Sequence, residues 1–195
     1  MRTKRICVGP LQTNCYIIED ETPNGRFCAV VDPGDDPKTI EENLPRSLTH
    51  IILTHAHFDH AGALEAVHKA HPAALFAVGE HEPLDSAYTF YSHPDLVIPP
   101  VDILLEEGAR IGPFTVIHTP GHTKGSICLY SKKDNLLLSG DTLFCGGYGR
   151  TDLGGSMADM QASLARLSQL PPETKVLPGH GDPTTIGREF NHSIS

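Results

Sequence analysis

Thr54-His55-Ala56-His57-Phe58-Asp59-His60 places four potential metal ligands within six consecutive residues. The apolar run Ile51-Ile52-Leu53 comes directly before it and reads as a buried strand, so the ligands fall where a strand ends and a loop begins. Helical spacing returns from Asp59 onward. Such a strand–loop–helix junction aims three imidazoles and a carboxylate into one small volume. Ordinary core packing has no use for that density.

The rest of the chain sets the context. Its 195 residues suit one domain with a sizeable core, and 1–195 is expected to form a single one. Hydrophobic content of 39% predicts a globular protein. A net charge of −9 opposes binding to nucleic acid, which needs a positive field. A small anionic substrate remains compatible, because bound metals invert the local potential. No apolar run is long enough to span a bilayer, and Ile6-Cys7-Val8, behind the basic Met1-Arg2-Thr3-Lys4-Arg5, is too short for a signal-peptide core. Cys7, Cys15, Cys28, Cys128 and Cys145 are odd in number and contain no C-x-x-C pair, which predicts free thiols, mostly buried, in a reducing cytosol.

Working outward from the His-rich loop, strands are expected over Arg5 to Val8, Cys15 to Glu19 and Phe27 to Val31, followed by the turn Asp32-Pro33-Gly34 and a short helix over Pro37 to Asn43. On the other side, Ala61, Leu64, Val67 and Ala70 predict a helix that Pro72 ends, and a strand over Ala74 to Val78 closes a β–α–β unit. Glu80 to Pro100 reads as an irregular surface segment with four prolines. Strands are expected over Phe114 to His118, Ile127 to Tyr130 and Leu136 to Leu138, with Lys133-Asp134-Asn135 as a hairpin turn. A glycine loop, Gly146-Gly147-Tyr148-Gly149, leads to a helix over Ser156 to Leu170 with Met157, Met160, Leu164, Leu167 and Leu170 as its apolar stripe. Strand Lys175 to Leu177 ends at Pro178-Gly179-His180. Mixed strands and helices suggest two sheets with helices packed outside.

His55, His57, Asp59, His60, His122, Asp141 and His180 all stand at strand ends. Taken singly, each has a plainer reading. Asp59 can cap a helix, Asp141 can form a turn, and His122 and His180 can be loop residues beside glycine. Their shared context argues against seven separate coincidences. Imidazole nitrogen and carboxylate oxygen suit zinc, iron or manganese, whereas calcium and magnesium call for mostly oxygen. Seven ligands exceed the four of a closed structural zinc and are enough for two divalent metal ions, each with an open coordination position. A water bridging two metals loses a proton near neutral pH and becomes a nucleophile.

At these residues the chain resembles the metallo-β-lactamase superfamily, whose signature T-H-x-H-x-D-H is followed by isolated His, Asp and His. Within it, the chain is similar to the glyoxalase II-type hydroxyacylglutathione hydrolases. The likeness rests on Gly9-Pro10-Leu11, Thr13-Asn14-Cys15-Tyr16, Val31-Asp32-Pro33-Gly34, Thr119-Pro120-Gly121-His122-Thr123, Ser139-Gly140-Asp141-Thr142-Leu143-Phe144, Gly149-Arg150-Thr151-Asp152 and Pro178-Gly179-His180-Gly181. The resemblance implies an α/β fold: a four-layer αβ/βα sandwich of two mixed β-sheets flanked by helices, with the metals at one sheet edge. It implies that His55, His57 and His122 hold a first metal, that Asp59, His60 and His180 hold a second, and that Asp141 bridges them. The implied reaction is hydrolysis of a small-molecule thioester such as S-D-lactoylglutathione, with Asp59 also orienting the nucleophile. Asp32, Thr54 and Thr123 are expected to support ligands. Arg150 is expected to bind a substrate carboxylate, and Tyr148 to line the same pocket. Cys145 is expected in the core, and His50, His68, His71, His81, His93 and His118 away from the centre.

Full-length glyoxalase II enzymes carry a C-terminal helical region that helps bind glutathione. This chain ends fifteen residues after His180, so that region is expected to be lacking. Substrate choice is then expected to rest on Glu80 to Pro100 and Cys145 to Ser156. The rival reading is a persulfide dioxygenase, which shares the fold and uses one iron at the positions matching His55, His122 and Asp141. A non-catalytic metal-binding module is the third, less favoured class.

Overall fold

The computed structural model describes residues 1–23, 25–45, 47–84 and 96–190. Six strands build a first sheet in chain order: β1 (Arg2–Val8), β2 (Thr13–Thr22), β3 (Gly25–Val31), β4 (His50–Leu53), β5 (Leu75–Gly79) and β6 (Ile103–Leu105). β1, β2 and β3 are antiparallel neighbours, whereas β3 to β6 run parallel. Parallel neighbours need crossovers. α1 (Pro37–Asn43) supplies one between β3 and β4; α2 (Phe58–Ala61) and α3 (Leu64–Ala70) supply the next, between β4 and β5.

A second sheet has the order β12-β11-β10-β9-β8-β7, where β7 is Arg110–Ile111, β8 Phe114–His118, β9 Ile127–Ser131, β10 Leu136–Gly140, β11 Lys175–Pro178 and β12 Thr184–Thr185. β7 to β10 form an antiparallel meander. α4 (Met157–Leu167) carries the chain across to β11, which pairs parallel with β10. α5 (Ile186–Phe190) follows β12. Both sheets are mixed and both have helices outside, which is the expected α/β sandwich.

Period-two alternation divides the apolar residues among three cores. In β4, Ile51 and Leu53 face outward, to Ile40 of α1 and Leu64 and Val67 of α3. Ile52 faces inward and meets Phe114, Val116, Leu129 and Leu138 of the second sheet. On the far face, Cys128, Leu137 and Val176 pack under Leu167 of α4 and Ile186 of α5. Strands buried on both faces therefore read as continuous apolar runs, as Ile51-Ile52-Leu53 does.

Some local expectations change. The helix predicted from Ala61 is two pieces. Gly62 lies against the Pro33-Gly34 turn, where a Cβ would sit 2.3 Å from the Gly34 carbonyl oxygen, and the Ala63 amide donates to Pro33 O at 2.9 Å. The turn thus wedges the helix open. α4 is shorter than Ser156 to Leu170; Ser156 caps it, its Oγ accepting from the Asp159 amide at 3.2 Å. Met157 is 43% exposed and leaves the apolar stripe to Met160, Leu164 and Leu167. β6, β7 and β12 are too short to carry a periodic signal. Much of Glu80 to Pro100, with His93, lies outside the described residues. Among the described residues, no helix is long and apolar enough to cross a membrane.

Candidate metal centre

The ligand candidates gather where the two sheets meet. His55, His57, Asp59 and His60 follow β4, and His180 follows β11. Asp141 follows β10, and His122 lies beyond β8. The carboxyl ends of β4, β10 and β11 thus point at one place, the usual location of sites in α/β folds. The sheets are stitched there by Asn14 N to Gly179 O at 2.7 Å and Ile127 N to Thr54 O at 3.0 Å. Asn14 Nδ2 and Tyr16 Oη both donate to Pro178 O, at 2.9 and 2.8 Å, which explains the Thr13-Asn14-Cys15-Tyr16 stretch: it clamps the loop that carries His180.

Two compact triads with no residue in common result, and a third group, His55, His60 and Asp141, spans them. His55, His57 and His122 form one, and Asp59, His60 and His180 the other, each with ligand atoms within 4.8 Å of one another. Asp141 stands between them. Its Oδ1 is 3.3 Å from His60 Nε2, and its Oδ2 is 3.6 Å from both His122 Nε2 and His180 Nε2. Gly179 makes this approach possible, since a Cβ there would lie 2.2 Å from Asp141 Oδ1.

Four of the five histidines have their outer nitrogen already engaged. Thr54 Oγ1 donates to Asp32 Oδ2 at 2.7 Å, so it can only accept from His55 Nδ1 at 3.2 Å. His60 Nδ1 donates to Asp32 Oδ2 at 3.0 Å, His122 Nδ1 to Arg150 O at 2.6 Å, and His180 Nδ1 to Leu11 O at 3.2 Å. Each bond directs Nε2 inward, the orientation that an outer support gives a metal-binding imidazole. Asp32 is the hub of this layer. It is 1% exposed, it has a φ of 54°, and it also accepts from the Thr54 amide at 2.7 Å. A non-glycine residue in that region stores strain that the surroundings must hold. Thr54 thus supports a ligand as expected. Thr123 bonds no ligand directly: its hydroxyl engages Glu82 Oε2 at 2.6 Å and Ser126.

The electrostatics divide the triads. Burial, with help from the neighbouring imidazoles, holds His55 well below the ordinary imidazole value and takes His57 down to about 4. His122 is also lowered, chiefly by burial. Burial works the same way on His60 and His180, but carboxylates outweigh it. Asp141 and Asp32 raise His60 well above its ordinary value, and a hydrogen bond to Asp59 raises His180. Asp59 and Asp141 resist the effect of burial and stay low, Asp59 through His180, His60 and Thr13, Asp141 through His60, His122 and His180.

This donor set fits divalent cations. His55 Nε2 and His122 Nε2 are buried without a hydrogen-bond partner, a costly state unless an electron-pair acceptor sits between them. A mixture of five imidazoles and two carboxylates suits zinc, iron or manganese.

A cavity of about 460 Å³ opens over the ligands, with Leu11, Phe58, Phe144 and Leu153 as apolar wall and Arg150 at its edge. The Arg150 guanidinium makes two 2.7 Å hydrogen bonds to Asp152. Tyr148 does not line this cavity; it borders a neighbouring one with Cys145 and Leu164. Cys145 is half-buried. Of the other histidines, His50 stacks on Phe27, His71 pairs with Glu41, and His118 Nε2 bonds Lys124 O. Thr13, whose hydroxyl donates to Asp59 Oδ2 at 3.1 Å, and the buried Glu82 are site residues that sequence reasoning passed over.

The profile of the Metallo-beta-lactamase superfamily matches residues 8–180, and the chain belongs to that superfamily of metallo-hydrolases. It is 37% identical to the probable metallo-hydrolase YqgX of Bacillus subtilis, over 95% of this chain and 93% of the relative. It is also 37% identical to the hydroxyacylglutathione hydrolase of Ectopseudomonas mendocina, covering 95% of this chain and 68% of that protein. Among solved structures, the di-iron-bound form of TTHA1623 superposes with a TM-score of 0.82 at 38% identity, covering 95% of this chain and 96% of that one. ETHE1 from Myxococcus xanthus superposes at 0.78 with 27% identity, covering 98% and 83%.

Proposed function

We propose that this metallo-hydrolase cleaves a thioester with two divalent metal ions, and that S-D-lactoylglutathione or a related acyl-thiol is its substrate. The observation that carries the reading is Asp141, which faces two complete ligand triads at once. His55, His57 and His122 would hold one ion and Asp59, His60 and His180 the other. The likeness to a hydroxyacylglutathione hydrolase supports the choice of substrate class.

Two bound cations would supply a water of lowered pKa and polarise the thioester carbonyl. The chain's own residues do the positioning. Asp59, with Thr13 donating to one of its oxygens, orients the nucleophile from the triad that also contains His180. Leu11, Phe58, Phe144 and Leu153 cover the apolar part of the substrate and exclude water. Arg150, held by Asp152 at the cavity edge, receives a carboxylate of the substrate. The thiol leaves as thiolate, which needs little protonation. Zinc is the favoured metal; the di-iron form of TTHA1623 makes iron the first alternative.

The test is thiol release from S-D-lactoylglutathione and from an acyl-thioester of a neutral thiol by the metal-loaded protein. Turnover of either supports thioester hydrolysis, and turnover of neither by fully loaded protein refutes it. Arg150→Ala should raise KM for the charged substrate by about tenfold with little change in kcat, as loss of a ground-state contact does.

A further inference from the structure

Glu82 sits where the sequence suggested an irregular surface segment, yet it is 8% exposed. Its Oε1 accepts from the Ala56 amide at 2.8 Å and its Oε2 from the Thr123 hydroxyl at 2.6 Å. The Gly125 amide also donates to this carboxylate. Ala56 lies between His55 and His57, and Thr123 follows His122. One side chain therefore grips the two loops that carry the whole first triad, one loop from each sheet.

We propose that Glu82 is the positioning residue of the His55–His57–His122 triad, a clasp that sets the spacing of those three imidazoles before a metal arrives. Its base is rigid. The Glu82 amide donates to Gly79 O at 3.0 Å, directly beyond β5, and Gly125 lies so close that a Cβ there would fall 2.0 Å from the Glu82 nitrogen. The imidazoles it governs have ring centroids 4.7 Å apart for His55 and His122 and 4.5 Å for His57 and His122. A slip of one loop would open both distances.

The donors to Glu82 are amides and a hydroxyl, so its charge is buried at a cost, and burial pushes its pKa up to about 7. Shape-matched apolar packing would serve stability at least as well. A carboxylate here does something packing cannot: it reaches two loops at once with directional bonds. Its action is also one-sided. The other triad is held by Asp32, Thr13 and the Leu11 carbonyl, none of which Glu82 contacts through its hydrogen bonds.

The inference rests on the two-metal reading and is tested separately from it. Metal-depleted protein is titrated with Co²⁺, and the two binding steps are read from visible absorption. Glu82→Ala should weaken one step about 10- to 100-fold, the usual effect of losing an outer support, and leave the other within about twofold. In an Asp59→Ala background, where the Asp59–His60–His180 triad has lost its carboxylate and the His55–His57–His122 triad is intact, Glu82→Ala should weaken the surviving step by the same factor. Glu82→Gln should recover most of the loss, since an amide can accept from Ala56 and donate to the Thr123 hydroxyl. Should Glu82→Ala fail to fold, Thr123→Val cuts one arm of the clasp and should weaken the same step alone. Equal weakening of both steps, or no weakening in a folded variant, overturns the proposal. Failure of the wild-type protein to bind two ions would instead overturn the two-metal reading.

Discussion

Asp32 Oδ2 lies 3.0 Å from His60 Nδ1 while the same carboxylate holds Thr54 through its amide and hydroxyl, each at 2.7 Å. One residue at the end of β3 thereby orients an imidazole of the second triad and, through Thr54, His55 of the first. Asp32→Asn keeps the volume but loses an acceptor. It should lower affinity for both ions about 10- to 100-fold, measured by competition with a chromophoric chelator. Asp32→Ala should in addition destabilise the metal-free protein by about 1–3 kcal/mol, because the Thr54 amide is left buried and unpaired.

Asp59→Ala removes one carboxylate from the Asp59–His60–His180 triad and leaves His55, His57 and His122 untouched. Metal analysis should fall from two ions per chain to one. Thioester turnover should fall by more than about 100-fold, beyond the loss expected from an outer support alone. Full activity in that variant would sink the role given to Asp59.

Metal loading should depend on pH unequally at the two triads. A raised imidazole pKa means that protons compete with metal at higher pH, and His60 and His180 are raised. His55, His57 and His122 are lowered, His57 to about 4, so that triad stays unprotonated. As pH falls from 7 to 5, the ion at Asp59–His60–His180 should leave first and turnover should fall with it. Metal content after dialysis at each pH checks the order. Simultaneous loss of both ions would contradict it.

Much of this centre was legible because its chemistry is local in sequence. The cluster from His55 to His60 follows an unmistakable buried strand, and His122, Asp141 and His180 each stand beside a glycine at a strand end. What the sequence does not reveal depends on distant partners. Glu82 has no periodic or motif signal; its bonds reach Ala56 and Thr123, 26 and 41 residues away. The break between α2 and α3 comes from the Pro33-Gly34 turn pressing on Gly62, which helical spacing cannot reveal. Tyr148, expected in the substrate pocket, lines the adjacent cavity instead. The loop Gly146-Gly147-Tyr148-Gly149 has no periodicity from which to read its facing.

Gly179→Ala probes the close approach of β11 to Asp141. A methyl group there would meet Asp141 Oδ1 at 2.2 Å and His60 Cε1 at 2.7 Å. Overpacking of this kind costs about 1–3 kcal/mol, and the displaced carboxylate should no longer face both triads. Thermal unfolding and metal content should both drop. Gly147→Ala is the control: nothing lies within 4 Å of a Cβ there, and stability should change by less than about 0.5 kcal/mol.

The most direct test of the account measures metal content and reaction together. Protein purified without added metal is analysed for bound ions, then assayed for S-D-lactoylglutathione cleavage beside persulfide-dependent oxygen uptake. The two-triad centre predicts two ions per chain with thioester turnover and no oxygen consumption. One iron per chain with oxygen consumption and no thioester cleavage would contradict it.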